Sequence, residues 1–196
     1  MRLAVAMFAL LLLRPAFAQD PASLNEPTIH IREHGASLIV DSSYKVPVSL
    51  DKAWEVLIDF DNMATFLPGL NESHVISQNG SRLEIEQRGC TRFGIFSLDY
   101  SSRREILLQP MRNIRSHSLS GNVRIDGETT LNTDKDGTRV TYHAVAVPDF
   151  PGGVEFGASM LEDQMREQIR AYISEMTRRA NLAQAARTRA ERKKGT

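Results

Sequence analysis

The chain has 196 residues, of which 41% are hydrophobic and 24% charged, and its formal net charge is zero. This composition is typical of one globular domain with a sizeable core, and it excludes a disordered, collagenous or polytopic membrane protein. The charges are unevenly spread, because residues 19–177 carry a net charge of −8 while residues 178–196 contain seven basic residues and one acid. An acidic body with a basic end predicts no nucleic-acid binding, since nucleic-acid binders place positive charge on the folded face.

Residues 1–18 have the pattern of a secretory signal peptide. A basic start precedes an apolar run from Leu3 to Leu13, and Ala16 and Ala18 supply the small residues that a signal peptidase reads. The run is shorter than the roughly 20 residues that cross a membrane comfortably. The sequence therefore predicts cleavage after Ala18 and a periplasmic or secreted protein, with an uncleaved N-terminal anchor as the alternative.

The next segments predict a flexible leader, a β-hairpin and two helices. Residues 19–27 are polar with two prolines and form the leader. Alternating apolar residues in 28–33 and 38–46, with a His-Gly turn between them, predict an opening hairpin. A serine N-cap and the helical spacing of apolar residues in 53–60 predict a helix, and a second short helix is expected over 61–67.

The middle of the chain predicts a series of strands, and the end predicts one long helix. Short alternating segments separated by turn residues are typical of an antiparallel meander. These segments are 74–78, 83–88, 96–108, 114–119, 123–131 and 140–147. Apolar residues at helical spacing then predict a helix from about Val154 to about Ala180, about 40 Å long at roughly 1.5 Å per residue. Residues 181–196 form a basic Ala/Arg/Lys-rich tail.

Five segments, taken in order, resemble those of a known family. They are residues 46–49, 53–60, 66–70, 86–89 and 137–142. With the element order, they resemble the START-like superfamily, also called SRPBCC, and within it the polyketide cyclase/dehydrase and coenzyme Q-binding branch. The resemblance covers residues 28–180 and implies an α+β helix-grip fold, in which a curved antiparallel β-sheet wraps around a long C-terminal α-helix. The chain departs from the family pattern at Thr129 or Thr130, where such proteins often carry an aromatic residue.

The resemblance also implies a cavity between the sheet and the long helix. Its expected occupant is a hydrophobic small molecule such as a lipid, an isoprenoid quinone or a polyketide-like compound. The residues expected to bind it are Phe66, Leu67, Leu98, Tyr100, Thr129, Leu131, Tyr142, Leu161, Met165 and Ile169. Phe66 and Leu67 are expected to form a lid, while the apolar stripe of the long helix is equally explained by ordinary core packing.

The sequence contains no recognisable catalytic set. It has no nucleophile elbow, phosphate-cradling glycine loop or dinucleotide fingerprint, and the single cysteine, Cys90, excludes an internal disulfide and a cysteine-type metal cluster. We therefore expect no catalytic residue, no cofactor and no metal. Three hypotheses remain: an exported carrier for a hydrophobic molecule, an aromatase/cyclase-type enzyme, and a module without a ligand that contacts a membrane surface or a partner protein through the Phe66 loop and the basic tail. The missing catalytic set favours the carrier.

Overall fold

The computed structural model describes residues 26–93, 96–148 and 157–194. In these ranges the elements are β1 Thr28–His34, β2 Ser37–Val46, α1 Leu50–Leu57, a 3₁₀ helix Phe60–Thr65, β3 Leu70–Asn79, β4 Arg82–Phe93, β5 Phe96–Gln109, β6 Asn113–Gly121, β7 Val123–Asp134, β8 Gly137–Pro148 and α2 Gly157–Lys194. The predicted signal peptide and most of the predicted leader lie outside the described residues, as does the predicted start of the long helix.

The strands form one antiparallel sheet in the order β1-β2-β8-β7-β6-β5-β4-β3. Sequential hairpins build the sheet from β3 to β8, and β2 pairs with β8. The two ends of the meander, β3 and β8, are therefore far apart in the strand order. The sheet is curved, and α2 and α1 pack against it and each other. The predicted α+β helix-grip fold is confirmed.

Strict alternation along the strands gives the sheet two chemically different faces. In β2, Leu38, Val40, Tyr44 and Val46 are buried, while Lys45, between the last two, is exposed. The inner face therefore faces the helices, and the outer face carries charged side chains in water. The largest fully buried side chains are Val46, Val56, Ile85, Ile106, Val140 and Met176. They form a core between sheet and helices, which holds the rest of the inner face in a fixed position.

Strand β5 runs without interruption from Phe96 to Gln109, as expected from the alternation over 96–100 that continues at Ile106 and Leu108. The long helix differs most in extent from its prediction. Helix α2 continues to Lys194 instead of ending near Ala180. The extension lacks an apolar stripe, but it is rich in alanine and arginine, which have high intrinsic helix propensity, and it contains no proline or glycine before residue 195.

Candidate functional site

A cavity of about 340 Å³ lies between the inner face of the sheet and α2. Five strands contribute alternate residues to its wall, for example Tyr100, Ser102 and Arg104 from β5. Helix α2 contributes Leu161 and Met165 from the opposite side. Ligand pockets for small molecules usually measure about 300–1,000 Å³ and are mostly apolar, so this cavity has the size and lining of a binding site.

Small residues on neighbouring strands create the space. Val40, Ala144, Gly127, Ser116 and Ile106 are paired in one row that crosses five strands of the sheet. The three central members of this row have at most two side-chain heavy atoms, and they all line the cavity. Larger side chains stand at both ends of the row. The floor of the cavity is therefore a recess that the residue sizes in the sequence determine.

Four tyrosines line the cavity: Tyr44 from β2, Tyr100 from β5, Tyr142 from β8 and Tyr172 from α2. Burial raises the pKa of all four phenols, and the positive charge of Arg104 acts in the opposite direction on the phenols of Tyr100, Tyr142 and Tyr172. The phenols are therefore neutral near pH 7 and can donate hydrogen bonds. The hydroxyl of Tyr172 donates to the Met63 sulfur at 3.5 Å.

A chain of polar side chains fixes the guanidinium of Arg104 in the wall. Its Nη2 donates a hydrogen bond to Gln87 Oε1, and its Nη1 donates one to Ser116 Oγ at 3.5 Å. Gln87 is itself held, because its Nε2 donates to Ser73 Oγ at 2.9 Å. The Nε atom of Arg104 is buried and has no hydrogen-bond partner among the described residues. An unsatisfied buried donor costs about 1–3 kcal/mol, so this arginine sits in the wall at an energetic cost.

A second cluster of side chains joins the residues that flank the 3₁₀ helix, Asp59 and Phe66, to α2. Arg179 Nη1 lies 2.6 Å from Asp59 Oδ2, and Arg179 Nε donates to Glu175 Oε1 at 2.7 Å. The Arg179 guanidinium also lies 5.9 Å from the ring centroid of Phe66. The Phe66 ring packs edge-to-face on Tyr172, with centroids 5.6 Å apart. These contacts hold Phe66 against the helix at the side of the cavity.

The structure places most of the predicted ligand-binding residues in the cavity wall. Seven of them line the cavity: Leu67, Tyr100, Thr129, Tyr142, Leu161, Met165 and Ile169. Their positions on the inner face follow from strand alternation and from the apolar stripe of α2. That they contact a ligand stays a prediction.

Three of the predicted ligand-binding residues are not among the described residues that line the cavity. Phe66 lies outside it because its ring faces Tyr172, as described above. Leu131 shares the inner face of β7 with Thr129, but it is 2% exposed and belongs to the packed core. The side chain of Leu98 lies outside the described residues.

The prediction missed Arg104, Gln87 and Tyr172. Gln87 follows Leu83 and Ile85 at strand spacing, so alternation alone assigns it to the inner face. Arg104 has the same parity as Tyr100 in β5, but a charged side chain is not typical of an inner face. Tyr172 follows Met165 and Ile169 at helical spacing, so the periodicity of α2 places it on the same side of the helix.

Two histidines of the outer face each lie beside an acid. His143 Nδ1 lies 2.7 Å from Asp41 Oδ1, and His117 Nδ1 lies 3.0 Å from Asp126 Oδ1. Within residues 26–93, 96–148 and 157–194, no group of three or more His, Cys, Asp or Glu side chains is arranged to hold a metal ion. These pairs are exposed surface interactions, and they lie on the opposite face from the cavity.

The last turns of α2 are exposed and basic. Residues 181–193 are exposed apart from Ala183, and Arg187, Arg189, Arg192 and Lys193 outnumber the one acid, Glu191. In the described part of the chain, no helix combines the length and apolar character needed to cross a membrane.

Comparisons with solved structures identify similar folds at low sequence identity. The Zhui aromatase/cyclase from Streptomyces sp. R1128 has a TM-score of 0.62 at 19% identity, covering 76% of this chain and 96% of that one. A STAR-related lipid transfer protein (fragment 25–204) from Xanthomonas axonopodis has a TM-score of 0.63 at 13% identity, covering 78% and 94%. A START superfamily protein from Mycobacterium smegmatis has a TM-score of 0.54 at 10% identity, covering 74% and 98%.

Comparison with curated protein sequences finds no match. The family model described as polyketide cyclase / dehydrase and lipid transport matches residues 37–177, which include the sheet from β2 onward and most of the cavity-lining part of α2. The low identities of the solved structures show the fold alone, and the family match covers more than half of the chain. The chain therefore belongs to the family described as polyketide cyclase / dehydrase and lipid transport.

Proposed function

We propose that this protein is an exported carrier that holds a hydrophobic small molecule in the cavity between the sheet and α2. The observation that carries the proposal is the recess formed by Ala144, Gly127 and Ser116 beneath the apolar residues Leu161 and Met165. A sheet that served only to pack on a helix would fill this row with larger side chains. The family includes lipid-transport proteins, which supports a carrier function.

The volume limits what the cavity can enclose. About 340 Å³ corresponds to roughly eleven water molecules at about 30 Å³ each. A ligand portion of roughly ten to fifteen non-hydrogen atoms fits this space. A medium-length acyl chain, a quinone head group or a compact polyketide-like ring system meets this limit, whereas a long isoprenoid tail would extend beyond the cavity.

The proposed site of action is the periplasm or the exterior of the cell. The basic start, the apolar run and the small residues at Ala16 and Ala18 support export with cleavage after Ala18. N-terminal sequencing of the protein recovered from a periplasmic extract should give Gln19 as the first residue. An intact N-terminus in the membrane fraction would contradict export as a soluble carrier.

Native mass spectrometry followed by solvent extraction tests the carrier function. Protein purified without detergent should carry a stoichiometric lipid, quinone or polyketide-like compound. Met165→Asp should abolish this retention, because it places a carboxylate in the cavity wall. Ser174→Asp is the matched control, since Ser174 is an exposed residue of the same helix and its substitution should leave the bound molecule in place. A bare protein that takes up none of the offered lipids or quinones would refute the proposal.

An aromatase/cyclase activity is the second candidate. The presence of Tyr100, Tyr142, Ser116 and Thr129 in one wall favours it, because these hydroxyls can orient a polyketone and donate hydrogen bonds during ring closure. The solved Zhui aromatase/cyclase shares the fold. Incubation with a synthetic poly-β-ketone should then yield a cyclised product that has lost water, at a rate that falls when Tyr100 or Tyr142 is replaced by Phe. Recovery of the unchanged ketone would rule out this activity on that substrate.

Transient contact with a membrane is a further part of the carrier proposal. The basic C-terminal part of α2, residues 181–194, is complementary in charge to anionic lipid headgroups. The protein should co-sediment with vesicles containing phosphatidylglycerol at low ionic strength, and this binding should weaken at 0.5 M salt, because salt screens exposed charges. Equal recovery with neutral phosphatidylcholine vesicles would contradict an electrostatic contact.

A further inference from the structure

We propose that the carried molecule is an amphiphile with one carboxylate, and that Arg104 binds this carboxylate at the polar part of the cavity. This inference rests on the proposed carrier function and specifies the chemical class of the ligand. It is carried by the charge distribution of the cavity wall and by the way the guanidinium is held.

Arg104 is the only charged residue among the described residues that line the cavity. The wall contains no aspartate or glutamate, and no carboxylate in the described part of the chain forms an ion pair with Arg104. Its neighbours on the same strand, Arg103 and Glu105, lie on the outer face and are each paired with a side chain of β4. The cavity therefore has a net positive charge that the protein does not compensate.

A guanidinium cannot remove this charge, because an arginine side chain keeps its proton in proteins. A charge in an apolar site is stable when an opposite charge lies beside it. The ligand is the remaining source of that charge, and a carboxylate can accept two parallel hydrogen bonds from the planar guanidinium.

The guanidinium is positioned by neutral side chains that leave donors free. Gln87 accepts one hydrogen bond from Nη2, and Ser116 accepts one from Nη1. Ser73 fixes Gln87 by accepting a hydrogen bond from its Nε2. An arginine has five N–H donors, so these two bonds leave donors on Nη1 and Nη2 for a ligand. The result is a preorganised cation rather than a flexible surface arginine.

The remaining wall fits an amphiphile with a single polar end. Tyr100, Tyr142 and Tyr172 are close enough to Arg104 for its charge to act on their phenols, and Tyr100 and Tyr142, as neutral donors, can share the carboxylate oxygens. Leu161 and Met165 contribute apolar surface for the body of the molecule. The wall thus offers a polar region around Arg104 together with apolar surface.

Isothermal titration of the purified protein with decanoate and with decan-1-ol tests the inference. The two molecules have the same chain length, and at about pH 7 only the first is an anion. We expect decanoate to bind at least about tenfold more tightly, the factor that a charge-assisted hydrogen-bond pair supplies. Arg104→Gln should remove this preference and leave the affinity for decan-1-ol within about twofold.

Arg103→Gln is the matched control, because it removes one positive charge from the outer face of the same strand. It should retain the preference for decanoate. Circular dichroism of both variants checks that they are folded, and the comparison of the two ligands on the unaltered protein is decisive even if Arg104→Gln does not fold.

Three results would overturn the inference. Equal affinities of the unaltered protein for the two ligands, or an unchanged preference in folded Arg104→Gln, would show that the carboxylate is not bound by Arg104, and the carrier function would stand. Binding of neither ligand by a protein that also co-purifies with no lipid would refute the carrier function and, with it, this inference.

Discussion

The close packing of Tyr100 over Gly89 leaves no room for a β-carbon on this part of β4. A β-carbon added to Gly89 would lie 2.5 Å from the Cζ and Oη atoms of Tyr100, and closer still to the carbonyl oxygen of Gly69. The Gly69 carbonyl cannot move freely, because it accepts the Cys90 N–H at 2.9 Å and Gly69 has a φ of 76°. Gly89→Ala therefore forces a shift of backbone and of a cavity-lining ring together.

We expect Gly89→Ala to lower the free energy of unfolding by about 3 kcal/mol, at the upper end of the usual cost of overpacking. For a domain of this size that is a fall of about 6–12 °C in Tm. Gly127→Ala is the matched control on the same inner face. Its β-carbon would meet only side-chain atoms, at 3.0 Å from Ala144 Cβ and 3.1 Å from the Tyr142 ring, so it should cost about 1 kcal/mol or less.

Urea unfolding followed by circular dichroism measures both values, and a double variant separates the two contacts. Tyr100→Ala combined with Gly89→Ala should show a coupling of about 1 kcal/mol or more, because removing the ring relieves one of the two clashes. A loss in Gly89→Ala no larger than that in Gly127→Ala would refute the packing that places Tyr100 in the cavity wall.

Three further predictions concern α2. Hydrogen bonds from Arg178 and then Arg179 lower the pKa of Glu175 to about 2. The stabilisation that the Glu175 carboxylate provides is therefore complete above the unfolded pKa of about 4.3 and is lost as the pH falls to about 2. In urea titrations, the difference in unfolding free energy between the unaltered protein and Glu175→Gln should shrink over that pH window. Met176→Ala should cost about 2–5 kcal/mol because Met176 is fully buried, whereas Leu182→Ala, at a position 58% exposed, should change stability by less than about 0.5 kcal/mol in the same assay. Deleting residues 181–196 should leave Tm nearly unchanged and abolish co-sedimentation with anionic vesicles.

The fold could be predicted from the sequence because its signals are local. Alternation of apolar and polar residues in β2 and β4, and the apolar stripe of α2, each identify an element without knowledge of its neighbours. The same alternation placed Tyr100, Thr129 and Tyr142 on the inner face. The continuation of α2 to Lys194 was missed because the periodicity ends near Ala180, while helix propensity, which carries the helix onward, leaves no periodic pattern.

The polar part of the cavity could not be predicted in the same way. The sequence Ser101-Ser102-Arg103-Arg104 has no hydropathy alternation, so nothing local tells which arginine faces inward. The bonds of Arg104 to Gln87 and Ser116 join residues of neighbouring strands that are 17 and 12 positions apart in the chain. Such contacts depend on the register of the sheet, and the register between Arg103 and Arg104 is itself shifted by an irregularity.

Ligand-induced stabilisation gives a final, general test of the use of the cavity. A molecule that binds the folded protein and not the unfolded chain stabilises the fold. At a concentration of about 100 times its Kd, the ligand adds about 2.7 kcal/mol, which corresponds to a rise of about 5–11 °C in Tm for a domain of this size.

Differential scanning fluorimetry with decanoate, followed by other amphiphiles, measures this shift. The rise in Tm should follow the affinity from calorimetry and should be absent in Met165→Asp, whose cavity wall carries an unpaired carboxylate. Binding that raises Tm equally in Met165→Asp would place the ligand at another surface. Because stabilisation by a ligand requires only that it bind the folded state, this readout reports on occupancy of the cavity whether the bound molecule is carried unchanged or converted.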